Sequence, residues 1–218
     1  MMELTPDDRV LLINKPLEWT SFDVVKKVRG ILQIKKIGHA GTLDPLATGL
    51  LILCTGKMTK RIDEFQAQEK EYTGKLVLGQ TTPSYDLETT PSTPKDISSI
   101  NAALIKQKAS KFIGEIEQVP PIHSAVKVDG KRAYKLARAG QEAKLKARKV
   151  TISEFEITKI ELPEVSFRIV CSKGTYIRSL AHDLGQELGV GGYLSELCRT
   201  RIGNFSLHDA LTLDQVSK

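Results

Sequence analysis

The sequence lacks the features that mark several large protein classes. Its three cysteines, Cys54, Cys171 and Cys198, are odd in number, far apart and without a CxxC pair. They indicate neither a disulfide framework nor a zinc cage, and a reducing, cytoplasmic compartment is the simpler interpretation. The first apolar run, residues 10–13, is too short for a signal peptide or a membrane span, so we expect no membrane partner.

Motifs for metals and nucleotide cofactors are also missing. The four histidines are scattered, and no pair of them has metal-ligand spacing. Neither a Gly-x-Ser-x-Gly elbow nor a Walker loop is present. We therefore expect neither a metal nor a cofactor.

The composition is that of a folded protein with an excess of positive charge. The 218 residues fit one large domain or two small ones, and 40% of them are hydrophobic. Lysine and arginine total 32 against 26 acidic residues, which gives a net charge of +6. This excess favours a polyanionic partner, although many basic proteins bind no nucleic acid.

The hydrophobic pattern mixes strands and helices without a regular βαβ repeat. Predicted strands cover residues 10–13, 50–54, 72–79, 150–157 and 165–171, and predicted helices cover residues 20–33, 96–113, 132–139 and 177–188. Residues 81–94 are rich in proline, serine and threonine and predict a loop. Loops of this length are often functional.

The first candidate site is the segment 38–49, which combines three glycines, His39 and Asp44 just before a predicted buried strand. Glycines of this kind let the backbone approach a ligand closely. Alternatively, Asp44 caps a short helical turn with Pro45 at its first position. The residues alone leave both interpretations open.

Two further segments are candidates for binding. At a predicted strand-to-helix junction, Tyr176 is able to stack on a base and Arg178 to pair with a carboxylate. Alternatively, Tyr176 is a core residue and Arg178 a solvated helix cation. Residues 120–138 interleave basic and aromatic side chains, as a phosphate-binding surface does, but such helices are also often plain soluble faces.

Together and in this order, these segments resemble the TruB family of tRNA pseudouridine synthases, from about residue 11 to residue 208. Lys15-Pro16 with Thr20-Ser21 resembles the N-terminal motif of the family, residues 38–49 its catalytic loop, residues 70–72 its tyrosine strand and residues 171–178 its second-half motif.

The resemblance implies a fold and a domain organisation. The expected fold is α/β (α+β), the pseudouridine synthase fold, with a mixed, largely antiparallel central sheet flanked by helices and an active-site cleft across the sheet. Residues 1–218 would form a single catalytic domain, without the RNA-binding PUA domain of longer members, and the chain would act as a monomer. The sequence departs from the family at Glu18, where glycine is usual, and at Cys198, where arginine is common.

The resemblance also implies an activity, the isomerisation of uridine to pseudouridine at position 55 in the T loop of tRNA. Asp44 would be the catalytic carboxylate, acting as nucleophile or base on a uridine flipped out of the RNA loop. The surrounding pocket would comprise His39, Tyr72, Tyr176, Arg178 and Leu197, with His39 in the space left by the base, Tyr72 stacked on uracil and Arg178 close to Asp44.

The grip on the tRNA would come from the basic stretch 127–149, with Lys127, Lys131 and Arg132 at the RNA backbone. Two other functions compete with the isomerase. One is a catalytically inert tRNA-binding or RNA-folding protein that keeps the pocket. The other is a base-excising RNA glycosidase, which would also use a carboxylate and a flipped nucleotide.

Overall fold

The computed structural model describes Thr5 and residues 7–124, 126–128, 130–139 and 145–217, with the backbone alone at residues 127, 128, 131 and 138. The chain forms two compact units. The first comprises the residues up to 73 and from 197 onward, and the second comprises residues 74–196. Among the described residues, no helix is both long enough and apolar enough to cross a membrane.

Eleven strands and five α-helices are described. The strands are β1 (Val10–Lys15), β2 (Ile37–His39), β3 (Ala47–Thr55), β4 (Lys70–Leu78), β5 (Gly114–Gln118), β6 (Lys127–Val128), β7 (Lys131–Arg132), β8 (Arg148–Glu161), β9 (Glu164–Cys171), β10 (Gly192–Ile202) and β11 (Phe205–Ser206). The helices are α1 (Ser21–Leu32), α2 (Ile62–Ala67), α3 (Ala102–Ser110), α4 (Ala133–Arg138) and α5 (Ile177–Glu187). The chain passes from one unit to the other within β4 and β10.

Strand β3 is the centre of the first unit. It pairs antiparallel with β1 and β2, and its first residues pair in parallel with β10, where Leu197 lies beside Ala47. Because successive side chains of a strand point to opposite faces, β3 contributes to two separate cores. Leu51 and Leu53 pack in one cluster with α1, whereas Leu50 and Ile52 pack in another with Phe65. The prediction of a strand covered on both faces is confirmed.

Helix α1 begins where its sequence predicts. The Thr20 side chain accepts a hydrogen bond from the Asp23 backbone, and the Asp23 side chain accepts one from the Thr20 backbone, which completes a capping box. The helix buries Val24, Val25, Val28 and Leu32, and it ends at Gln33, whose φ is 57°.

In the second unit, β5, β8 and β9 form an antiparallel meander. Together with the parallel pairing of β3 and β10, these pairings confirm a mixed, largely antiparallel sheet. Helix α3 is shorter than the predicted helix at residues 96–113, because Asn101 caps it through a 2.9 Å hydrogen bond from the Leu104 N–H. Asp96 instead accepts hydrogen bonds from Ser98 in a turn of its own. The short strand β2 was not predicted.

Glu18, at a position where the resemblance leads us to expect glycine, adopts a left-handed backbone conformation with φ of 65°. Its N–H donates to the Pro45 carbonyl oxygen at 2.9 Å, which fixes the turn between β1 and α1. This conformation costs a side-chain-bearing residue about 1–2 kcal/mol, whereas glycine adopts it freely. The physical reason for glycine at this position is therefore the turn itself.

We predict that the free energy of unfolding of Glu18→Gly exceeds that of Glu18→Ala by about 0.5–1 kcal/mol. Glycine removes the strain of the left-handed conformation, and this gain is larger than the cost of its greater entropy in the unfolded chain. Urea denaturation of both variants measures the difference. The alanine variant is the matched control, because both variants lose the carboxylate and only one keeps a Cβ. Equal midpoints and slopes for the two variants would contradict the assignment.

Candidate active site

The segment 38–49 joins β2 to β3 and carries Asp44 at a tight turn. The Ala47 N–H donates to the Asp44 carbonyl oxygen at 3.0 Å, and Pro45 and Leu46 occupy the centre of the turn. Proline suits the second position of such a turn because its φ is fixed. Strand β3 begins directly afterwards, so the alternative in which Asp44 caps a helical turn is wrong.

Gly49 of this segment serves packing between strands. Its φ is 101°, and a Cβ placed on it would clash with the backbone nitrogen and carbonyl oxygen of Arg199 in β10. Glycine is therefore required for β3 and β10 to pair where the loop ends. The backbone at Gly49 is closely approached, as predicted, but the group that approaches it is β10 of the same unit and not a ligand.

The N-terminal motif holds the Asp44 turn from one side. The Ser21 hydroxyl accepts a hydrogen bond from the Leu43 N–H at 2.9 Å and donates to the Leu43 carbonyl oxygen at 3.2 Å. The Lys15 ammonium is buried and donates to the carbonyl oxygens of Pro16, Trp19 and Pro45, at 2.9, 2.6 and 3.2 Å. Leu43 and Pro45, on either side of Asp44, are thus hydrogen-bonded to Ser21 and Lys15 of the N-terminal motif.

Arg199 holds the same loop from the other side. Arg199 lies in β10 and is only 1% exposed. Nε donates to the Leu50 carbonyl oxygen at 2.7 Å, while Nη1 and Nη2 donate to the carbonyl oxygens of Thr42 and Gly41 at 3.4 and 3.3 Å. One guanidinium therefore joins the loop before Asp44 to the strand after it.

The charges in this part of the first unit interact. Burial lowers the pKa of Lys15 to about 8; the Asp44 charge acts to raise that pKa, and Arg199 acts to lower it. Burial also lowers the pKa of His39, although a hydrogen bond to the Gly41 backbone acts to raise that pKa. The His39 imidazole is therefore neutral at pH 7, whereas Lys15 remains mostly protonated.

Four of the predicted site residues belong to the first unit: His39, Asp44, Tyr72 and Leu197. Leu197 is half-buried beside Ala47, and its carbonyl oxygen accepts a 3.4 Å hydrogen bond from the Thr48 hydroxyl. Tyr72 lies in β4 and is mostly buried. The pairing of β3 with β10 thus brings Leu197 next to the strand that follows Asp44.

Tyr176 and Arg178 belong to the second unit, and neither takes the alternative role that the sequence allowed. Tyr176 is half-exposed; its N–H donates to Gln118 Oε1 at 2.8 Å, and its ring lies 5.2 Å from the Arg148 guanidinium carbon. Its carbonyl oxygen accepts a 3.0 Å hydrogen bond from Gln118 Nε2. Tyr176 is therefore not a core residue.

Arg178 is buried, with only 3% of the residue exposed, so it is not a solvated cation. It donates to the carbonyl oxygens of Ser84 and His123 at 3.1 and 3.0 Å and lies 3.5 Å from an Asp86 carboxylate oxygen. The carboxylate with which Arg178 pairs here is that of Asp86. Its proximity to Asp44 stays a prediction.

The predicted RNA-backbone residues lie in a short hairpin, where β6 and β7 pair Lys127 with Arg132 and Val128 with Lys131. The Arg132 side chain is exposed. The side chains of Lys127 and Lys131 lie outside the described part, as do residues 129 and 140–144 of the same basic stretch. Their contact with RNA stays a prediction.

Neither Arg199 nor Asp86 was predicted from the sequence as a site residue. Arg199 gave no signal, because no strand was predicted at residues 192–202 and burial of its guanidinium depends on carbonyl groups from distant segments. Asp86 did carry a weak signal, since it lies in the long loop 81–94. No group of three histidine, cysteine or acidic side chains suited to a metal occurs among the described residues.

Comparisons with known proteins agree over almost the whole chain. Residues 29–177 match the family described as TruB family pseudouridylate synthase (N terminal domain), and residues 178–218 match the tRNA pseudouridylate synthase B C-terminal domain. A tRNA pseudouridine synthase B of Flavobacterium johnsoniae is 53% identical, over 96% of each chain. Another, of Phocaeicola vulgatus, is 52% identical over 95% of this chain and 91% of that protein.

Solved structures show the same fold. A chain in the crystal structure of a Cbf5-Nop10-Gar1 complex matches 97% of this chain with a TM-score of 0.74 and 32% identity. A chain in the structure of an H/ACA RNP bound to a substrate RNA containing 2'-deoxyuridine matches with a TM-score of 0.71 and 29% identity. This chain spans 59% and 58% of their respective lengths. With a family match over most of its residues and relatives above 50% identity, the chain belongs to the TruB family of pseudouridylate synthases.

Proposed function

We propose that this protein isomerises uridine to pseudouridine at position 55 in the T loop of tRNA, with Asp44 as the catalytic carboxylate. The relatives named tRNA pseudouridine synthase B, at 53% and 52% identity over almost the whole chain, support the substrate. The observation that carries the assignment of Asp44 is its position in a turn whose neighbours are bound by Ser21, Lys15 and Arg199. A reacting group needs this kind of fixed support.

The substrate uridine lies within a folded RNA loop, so its glycosidic bond is reached only after the nucleotide flips outward, at a cost of a few kcal/mol. Stacking on an aromatic ring returns about 1–3 kcal/mol per base, and Tyr72 is the residue that we assign to this role. His39 would fill the space that the base leaves. A neutral imidazole suits that space, since it needs no counter-ion inside the RNA loop.

The reaction exchanges one bond for another. The bond between C1′ and N1 breaks with Asp44 as nucleophile or base, the uracil turns, and C1′ bonds to C5, whose proton leaves for solvent while N1 gains one. No atom is added overall. The positive charge of Lys15, which interacts with Asp44, favours the ionised carboxylate that either role requires.

The remaining pocket residues follow from the same resemblance. Leu197 would contact the uracil, and Tyr176 and Arg178 would complete the pocket. The contacts of Arg178 with Ser84, Asp86 and His123 support this role, because they hold its guanidinium in a single orientation.

The decisive experiment is tritium release from tRNA that carries 5-tritiated uridine. We expect release with the wild-type protein and none with Asp44→Asn, which still binds the tRNA because its surface is unchanged. An inert RNA-binding protein would release no tritium in either form. A glycosidase would liberate free uracil, which chromatography of the reaction products detects.

Tyr72→Ala should reduce the turnover number by about tenfold to a hundredfold, which corresponds to the loss of roughly 1–3 kcal/mol of stacking. The Kd for tRNA should change much less, since most of the affinity comes from phosphate contacts. Tyr72→Phe is the matched control, because it keeps the ring and removes only the hydroxyl. A turnover number that is unchanged in Tyr72→Ala would remove the stacking role.

Arg199→Met should lower the turnover number by about a hundredfold, because a loop displaced by about 1 Å misplaces Asp44. It should also raise the pKa of Lys15 above about 8, since Arg199 lowers that pKa, and carbon NMR of labelled lysine side chains measures this shift. Arg201→Met is the control, because Arg201 lies on the same strand and pairs with Glu69. An unchanged pKa of Lys15 together with full turnover would show that Arg199 positions nothing.

A further inference from the structure

Helix α1 and the segment after it carry five positive charges, and their single acid is Asp23 in the first turn of the helix. From residue 24 to residue 43 the sequence contains five basic residues and neither aspartate nor glutamate. We call these five residues the helix-one patch: Lys26, Lys27, Arg29, Lys35 and Lys36. All four lysines are exposed, and Arg29 is half-buried.

The helix-one patch is only partly neutralised by the rest of the described chain: Lys26 interacts electrostatically with Asp23, whose pKa is lowered mainly by hydrogen bonds with Thr20. None of its five side chains has an ion pair or a hydrogen bond among the described residues. Some lysines elsewhere do have acidic partners, such as Lys75 with Glu196 and Lys149 with Glu115. Like charges that are close together repel one another, so a cluster with a single acid favours an anionic partner.

An open groove of about 640 Å³ runs along the same face of α1. It is lined by Glu18, Trp19, Asp23, Lys26, Lys27, Gly30 and Ile31. Gly30 leaves open space, since a Cβ added there would have no neighbour within 4 Å. The acids lie at one end of the groove, where Asp23 is bonded to Thr20, and Lys26 and Lys27 follow Asp23 by about one turn on the same face of the helix.

We propose that the helix-one patch binds the phosphate backbone of the tRNA stem that continues from the T loop. This inference rests on the proposed function and adds a second RNA-binding surface to the predicted stretch 127–149. Lys35 and Lys36 directly precede β2, whose last residue is His39, so the patch is continuous along the chain with the segment that carries Asp44. The groove beside Lys26 and Lys27 gives the backbone a path along α1.

A membrane surface is the other polyanion that a basic helix can bind. Such helices insert their apolar face between lipids. The apolar face of α1 is already used, since Val24, Val25, Val28 and Leu32 are buried in the core of the first unit. Phe22 is the exposed large apolar residue that remains on the helix. The structure therefore favours RNA.

The test is the salt dependence of tRNA binding by Lys26→Gln/Lys27→Gln in the full chain. Each lost phosphate contact lowers the slope of log K against log salt by about 0.7–0.9, so the loss of two contacts should make the slope smaller by about 1.4–1.8. The control Lys95→Gln/Lys106→Gln removes the same charge from exposed positions of the second unit and should keep the wild-type slope. A wild-type slope in the first variant, or an equal loss in the control, overturns the proposal.

Trp19 provides a local measurement, because it is the only tryptophan of the chain and lines the groove. Bound tRNA should shield Trp19 from acrylamide quenching in the wild type, and it should shield it less in Lys26→Gln/Lys27→Gln at equal saturation. Binding of the patch to anionic phospholipid vesicles, with an unchanged tRNA slope, would assign the surface to a membrane instead. If the salt slope of tRNA binding depends on the patch but the protein releases no tritium, the proposed reaction is refuted and the patch remains an RNA-binding surface.

Discussion

Two buried cations that bind backbone carbonyl groups determine the geometry of the loop around Asp44. Burial of a charge is costly unless hydrogen bonds compensate it, and Lys15 and Arg199 each obtain three such bonds from carbonyl oxygens. The compensation requires the loop and the two cations to be in place together. The turn at Asp44 is therefore specified by long-range contacts in addition to Pro45 at its second position.

The same arrangement affects the charge balance of the first unit. Because the bonds of Lys15 and Arg199 go to carbonyl groups and not to carboxylates, their positive charges are only partly neutralised. The two charges lie close enough to act on each other, since Arg199 contributes to lowering the pKa of Lys15 in addition to the larger effect of burial. Positive charge beside Asp44 and along the helix-one patch suits a protein that we propose to bind RNA and to use an ionised carboxylate.

Local patterns predicted four of the five described α-helices and five of the eleven described strands, and they missed the long strand β10. The continuous apolar run at residues 50–54 and the capping signal of Thr20 and Asp23 depend only on near neighbours, and both were predicted correctly. Residues 96–113 were predicted as one helix because their apolar spacing is helical. Both Asp96 and Asn101 are able to cap a helix, and α3 is shorter than predicted because Asn101 is the residue that caps it. Strand β2 has only three residues and depends on pairing with β3, which no local pattern reveals.

For the candidate site, the sequence by itself determined which segments carry chemistry, since the motifs around Lys15, Asp44, Tyr72 and Arg178 identified the family. Tertiary structure decided what each residue contacts. It replaced a helix cap by a turn at Asp44, assigned Gly49 to strand packing and gave Arg178 the carboxylate of Asp86. The physical reason is that a buried polar group takes its partners from whatever segments the fold brings near it, and those segments lie far away in the sequence.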